Sequence, residues 1–173
     1  VATEALVALG RLPWRDRGTA AVEAAIHALD LEPLRHRPVS QLSGGERARV
    51  LLARVLAGEP RWIMADEPLA ALDLAHQISL TAHLKACAAH GPGQEQGQGV
   101  VVVLHDLAIA MNHADRVLVL KDGRLIADGP PQTALTTEVI AQGWGVNALW
   151  LGQPGAMALV AKQGPEQATR VFR

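Results

Sequence analysis

Two short apolar runs, "WIMADE" at 62–67 and "VVVVLHD" at 100–106, constrain this chain more than anything else in it. Neither alternates polar and apolar residues, and each stops abruptly in polar or charged groups, as a buried parallel strand does. Parallel strands must be joined by a crossover of a dozen or more residues, usually a helix. The intervening segment supplies one. Asp73 is placed to cap a helix from about Leu74 to Ala89, and "GPGQEQGQG" at 91–99 is a polar, glycine-rich connector expected to be mobile. A third apolar segment, Val117 to Leu120, turns through Lys121, Asp122 and Gly123 into Leu125 to Ala127, a hairpin by its Asp-Gly signal. The order strand, helix, strand, helix, strand gives an α/β fold.

Upstream, Ala2 to Leu9 and Thr19 to Leu29 read as helices, the second with Val22, Ile26 and Leu29 on one face. Between them "GRLPWRDRG" reads as a basic turn with an aromatic tip. A further helix runs from Gly44 to about Ala57, with Ala48, Leu51, Leu52, Val55 and Leu56 inward and Arg47, Arg49 and Arg54 mostly outward, until Gly58 and Pro60 stop it. After Pro130 the pattern gives a helix near Thr137 to Gln142 and apolar pieces whose pairing it does not assign.

With 173 residues, 49% hydrophobic and 19% charged, the chain is one soluble globular domain or most of one. A formal net charge of -1 disfavours wholesale nucleic-acid binding. No apolar run approaches the roughly 20 residues of a membrane span, and no signal peptide precedes them. The one cysteine, Cys87, permits no intrachain disulfide, fits a cytosolic setting and reads as a small buried hydrophobe. The first residue is Val1, which leaves open that the chain is a fragment.

The chemistry gathers at strand and helix ends. Ser43 and Glu46 form a capping box at the start of "SGGERARV". Each glycine between them costs a helix roughly 1 kcal/mol relative to alanine, so Gly44 and Gly45 point to a need for bare backbone. Exposed amides at a helix N-terminus, reinforced by the macrodipole, form an anion seat that a phosphate can touch. Asp66 and Glu67 stand at one strand end and His105 at another, where ligands of open α/β sheets bind. One carboxylate can hold Mg²⁺ through its water shell while the other orients an attacking water, and a neutral imidazole can stabilise a transferring phosphoryl group. Taken alone, Asp66 and Glu67 fit a solvated strand end equally well, and His105 fits a hydrogen-bonded loop histidine. The histidines 27, 36, 76, 83, 90 and 113 are scattered without ligand spacing and read as surface residues.

"LSGGE" before a helix, "DEP" after an apolar strand, then "AALD" and a strand ending in "HD" resemble, in this order and spacing, the nucleotide-binding domain of ATP-binding cassette (ABC) transporters. The likeness covers Leu42 to Asp106 and extends loosely through "DRVLVLKDGRLIADGPP". It implies a P-loop NTPase-like core sheet with a helical subdomain. Residues 1–40 would be helical subdomain, 41–130 the catalytic core and 131–173 the C-terminal tail. It implies that Ser43, Gly44, Gly45 and Glu46 belong to the signature motif that contacts ATP, that Asp66 lies on the Mg²⁺ shell, and that Glu67 is the general base. Asp73 would close the D-loop at the nucleotide and His105 would be the switch histidine.

"ALGRLPW", "DEPLAALDLAHQ" and "GPPQTALT" are similar to the ATPases of importers for iron siderophores, haem and vitamin B12. Leu69 and Ala70 depart from the threonine and serine of many members, and Leu74 from a frequent proline. The resemblance implies a head-to-tail dimer with a second ATPase subunit, a transmembrane permease docked on Val1 to Ser40 with Trp14 a candidate contact, no nucleic-acid partner, and a peripheral place on the cytoplasmic face of the bacterial inner membrane. No G-x-x-x-x-G-K-[ST] loop occurs, and Lys85, Lys121 and Lys162 are the only lysines. If the family pattern holds, the N-terminal part of the domain is missing and the chain alone is inactive. Two alternatives remain: a non-catalytic module lending its signature in trans, and a non-transport ATPase of the same fold.

Overall fold

The computed structural model describes residues 1–70, 72–89 and 97–162, so Ala71 of the "AALD" stretch and residues 91–96 of the expected connector lie outside the described residues. The chain forms two compact units, Val1–Val103 and Leu104–Arg173.

In the first unit α1 (Thr3–Ala8), α2 (Thr19–Ala28) and α3 (Gly44–Ala57) pack on one another, followed by β1 (Trp62–Asp66), α4 (Leu74–Ala89) and β2 (Gly99–Val103). Val7, Val22, Ile26, Leu29 and Leu31 are buried against Val50, Ala53 and Ala57 of α3 in the core of this unit. The inward face of α3 differs from the sequence expectation. Leu52 and Leu56 are buried as expected, but Leu51 and Val55 are each 44% exposed, while Val50 and Ala53 are fully buried. The helix carries two apolar stripes, and the 50–53–57 stripe is the one that small alanines allow α1 and α2 to approach. Arg49, expected outward, is half-buried and donates from Nη1 to the Leu29 carbonyl at 3.2 Å.

The "GRLPWRDRG" segment is also not a plain basic turn. Residues 9–14 wind into a 3-10 helix that accommodates Pro13, and Arg11 folds inward to become a buried charged side chain. Its guanidinium meets Asp16, Glu59 and the Ala57 carbonyl, which ties the loop to the end of α3. Gly18, at φ +46°, lies so close to the Arg11 side chain that a Cβ there would sit 2.1 Å from Nε.

β1 and β2 pair in parallel, with Asp66 opposite Val103, as the two apolar runs predict. Burial is where they differ. Of β1 only Ile63 is buried, and Trp62 and Met64 are exposed. Each strand has one partner among the described residues, and α4 packs against β2. An unalternating apolar sequence therefore shows an alternating burial pattern, because one face of this sheet is uncovered.

The second unit holds α5 (Leu107–His113), β3 (Val117–Lys121), β4 (Arg124–Gly129), α6 (Pro131–Ala134), α7 (Thr137–Trp144), β5 (Ala148–Gln153) and β6 (Ala156–Ala161). The β3–β4 hairpin turns where the Asp-Gly pair predicts, with Asp122 at φ +49° and Gly123 at φ +72°. The unassigned tail is a second antiparallel hairpin, β5–β6. The Asn112 amide pins β6 to α5, accepting from the Met157 N–H and donating to its carbonyl, both at 2.8 Å. Ala110, Met111, Val119 and Leu135 form the core of this unit. No helix among the described residues is long and apolar enough to cross a membrane.

Candidate nucleotide site

The helix α3 begins as the capping box predicts. Ser43 is extended, its Oγ accepts from the Glu46 N–H at 3.2 Å, and the Glu46 carboxylate accepts from the Ser43 N–H at 2.7 Å. The helical ladder starts with Arg47 N–H on the Ser43 carbonyl at 2.9 Å. The amides of Gly44 and Gly45, at the first two helical positions, are outside both box and ladder. Ser43 and Gly44 are exposed. The bond from the Ser43 amide holds the Glu46 carboxyl below its ordinary range, so at neutral pH it is a carboxylate, with Arg37 Nη1 3.8 Å away.

Gly45 is buried, and what buries it is the imidazole of His76. A Cβ at position 45 would fall 1.7 Å from His76 Cδ2 and 2.4 Å from Nε2. With the His76 ring in this position there is no room for a Cβ at 45, whereas at the exposed Gly44 the argument from bare backbone stands as the sequence gives it. His76 is itself held by Asp73. Asp73 Oδ1 accepts from the His76 N–H at 2.9 Å, which caps α4 as expected, and lies 2.7 Å from His76 Nδ1. A carboxylate only accepts, so Nδ1 carries the proton. These two contacts, the backbone one first, hold the Asp73 carboxyl below its ordinary range.

Asp66 closes β1, exposed, at the carboxyl end of the parallel pair. Glu67 continues the ladder for one more bond, its N–H donating to the Val103 carbonyl at 3.1 Å, and then takes φ +46°. This left-handed residue swings the chain out of the strand. The segment between β1 and α4 is closed by Ala70 N–H on the Glu67 carbonyl and by Gln77, whose Nε2 donates to the Leu69 and Leu72 carbonyls, all at 3.2 Å. Leu69, one of the departures from the family pattern, is buried here.

His105 belongs to the second unit, exposed, just before Asp106. Asp106 caps α5, accepting from the Ala108 and Ile109 N–H groups at 2.8 and 3.1 Å. The first unit therefore brings together Ser43, Gly44, Gly45 and Glu46 with Asp73 through His76. His76 and Gln77 were missed by the sequence reading. The signal for His76 was its spacing: a histidine three residues after an N-cap aspartate sits where it can bond that cap.

The family model for ABC transporters matches residues 4–70. The hemin import ATP-binding protein of Rhodococcus jostii (strain RHA1) is 44% identical over 145 residues, 81% of this chain and 48% of that protein. Its counterpart in Myxococcus xanthus (strain DK1622) is 41% identical over 172 residues, 91% of this chain and 62% of that protein. Over residues 4–70 the chain is similar to the ABC transporter family, and over most of its own length to the hemin import ATP-binding proteins. Among solved structures, an inward-facing metal-chelate type ABC transporter superposes with a TM-score of 0.79 at 22% identity, covering 94% of this chain and 67% of that one, which establishes the fold. A dimeric ATP-binding cassette in a post-hydrolysis state, bound to ADP and Pi, matches at 33% identity and a TM-score of 0.51, over 64% of this chain and 47% of that one. The chain spans about half the length of the first curated relatives it matches.

Proposed function

We propose that this chain is the ATP-binding part of an importer for haem or another iron chelate, and that it contributes the signature side of a nucleotide site formed with a second ATPase subunit. The observation that carries this is the start of α3, where a complete capping box leaves the Gly44 and Gly45 amides outside the helix's own hydrogen bonding. The relatives named as hemin import proteins support the cargo class. The dimeric ADP-bound neighbour supports the nucleotide and the paired arrangement.

In this reading Ser43 Oγ and the Gly44 amide meet the γ-phosphate of ATP, where the positive end of α3 favours an anion. The donor set suits the cofactor: an exposed aspartate at a strand end is a hard oxygen ligand, as Mg²⁺ in a shell of water requires. When bound, Mg²⁺ supplies charge neutralisation on the transferring phosphoryl group. Glu67 takes a proton from the attacking water, oriented by the left-handed turn that lifts it off β1. His105 stands for the switch residue, and residues 1–40 with Trp14 for the permease-facing subdomain on the cytoplasmic side of the membrane.

The experiment is a pair of variants in the full-length ATPase assembled with its permease. Glu67→Gln keeps shape and hydrogen bonding but removes the base, so it should trap nucleotide in a closed dimer while phosphate release falls by two or more orders of magnitude, the scale of losing a general base. Ser43→Arg should prevent closure. If Glu67→Gln hydrolyses ATP at the rate of the unmodified enzyme, the assignment of the base is wrong.

A further inference from the structure

The His76 ring touches both of the motifs that the proposed function uses in the first unit. Its Cδ2–Nε2 edge covers Gly45, too closely for any Cβ, and its Nδ1 is 2.7 Å from Asp73 Oδ1. The same Asp73 oxygen receives the His76 backbone N–H, so one carboxylate oxygen holds both the main chain and the ring of His76. Through the ring, the N-terminus of α3 and the N-terminus of α4 are locked at one distance. A longer or branched side chain at 45 would push the ring away, and a side chain without a donor at 76 would free Asp73 of its second bond.

We propose that His76 is a positioning residue of the nucleotide site, a spacer that makes the α3 start, with Ser43 and Gly44, move as one body with Asp73. The inference rests on the reading of "LSGGE" and Asp73 as parts of that site. His76 does not touch the phosphate. It sets the separation of the groups that do, and small misplacements of such groups carry large rate penalties.

The test is a rescue series in the full-length ATPase assembled with its permease, measuring kcat and KM for ATP. Gly45→Ala should lower kcat by about tenfold or more, because its methyl group displaces the imidazole. His76→Asn has a shorter side chain whose amide nitrogen can replace Nδ1 as the donor to Asp73. Added to Gly45→Ala, it should restore most of the lost kcat, and more than His76→Ala does in the same background. Restoration by a second substitution is not expected from general damage to the fold. If Gly45→Ala fails to fold, the same rescue is read as recovery of a soluble, cooperatively unfolding double variant. Should the double variant remain as impaired as Gly45→Ala, the methyl obstructs something other than His76, and the spacer role falls while the signature assignment survives. Should Gly45→Ala be fully active, the ring yields to a methyl without consequence and the spacer role falls, while the assignment of Ser43 and Gly44 to the phosphate stands or falls with the closure experiment on Ser43→Arg.

Discussion

Arg11 holds Asp16 in a two-pronged grip, Nε to Oδ1 at 2.9 Å and Nη2 to Oδ2 at 2.7 Å, from a position in which Arg11 itself is only 6% exposed. Trp14 covers the guanidinium, its ring centre 5.2 Å from Cζ, and its own Nε1 donates to the Gly58 carbonyl at 2.9 Å. A planar fork is needed for this, and lysine does not have one. Arg11→Lys should therefore release the 9–18 loop from the end of α3. The expected readout is a red shift and loss of intensity in Trp14 fluorescence, best measured with the other three tryptophans replaced by phenylalanine, and faster cleavage by trypsin at Arg15 and Arg17. An unchanged spectrum and cleavage rate would mean the loop is held by Trp14 and Pro13 without the fork.

The same pair fixes the sign of an acid effect. The hydrogen bond from Arg11 is the first cause holding the Asp16 carboxyl below its ordinary value of 3.8. A carboxyl depressed in the folded state contributes stability that is fully present above its unfolded pKa and lost as pH falls through the folded one. Urea midpoints should thus be flat through neutral pH and fall below about pH 4. Asp16→Asn should lower the midpoint at pH 7 and flatten the acid limb, bringing variant and parent together at the lowest pH. A variant whose curve runs parallel to the parent's at every pH would remove Asp16 from the acid response.

Sequence legibility followed locality. The helices, the Asp-Gly hairpin, the capping box at Ser43–Glu46 and the Asp73 cap were readable because each is decided within a few residues. Cys87 is buried, as expected of a lone cysteine with no histidine pairing suggested around it. What escaped depends on distant partners. Arg11 looked like surface charge because Glu59 lies 48 residues away in sequence, and His76 looked like surface histidine because Gly45 lies 31 residues before it. The inward face of α3 was legible only in part: Leu52 and Leu56 are buried as expected, but Val50, Ala53 and Ala57 are buried where Leu51 and Val55 were expected, and the packing of α1 and α2 on α3 makes that choice.

Glu67 carries a backbone expectation independent of its chemistry. At φ +46° a side chain with a Cβ is disfavoured relative to glycine, which occupies this region freely. Glu67→Gly should be more stable than Glu67→Ala by about 1 kcal/mol, the usual size of this left-handed penalty after glycine's greater freedom in the unfolded chain is counted. Paired denaturant titrations of the two variants decide it. Both lack the carboxylate, so the difference isolates the backbone. If the alanine variant is the more stable, residue 67 leaves the left-handed region once its carboxylate is gone.

The open face of the β1–β2 sheet gives the prediction with the widest practical reach. Trp62 and Met64 are 66% and 83% exposed, and Val101 and Val103, across the parallel register from Met64 and Asp66, are 43% and 51% exposed. These side chains share one face because alternate residues of a strand point the same way. A contiguous apolar patch beside strands with a single partner each invites both dye binding and edge pairing between molecules. The 173-residue chain should bind a hydrophobic dye and associate at micromolar concentration. Replacing Met64 and Val101 with lysine leaves the buried Ile63 in place and changes only exposed positions, where a substitution usually alters stability by no more than about 0.5 kcal/mol. Dye fluorescence should fall several-fold and sedimentation should shift towards monomer, with little change in the urea midpoint. A parent chain that is already monomeric and dark to the dye would show that this face is covered in solution, and a double variant that unfolds would show that Met64 and Val101 are packed more tightly than their exposure implies.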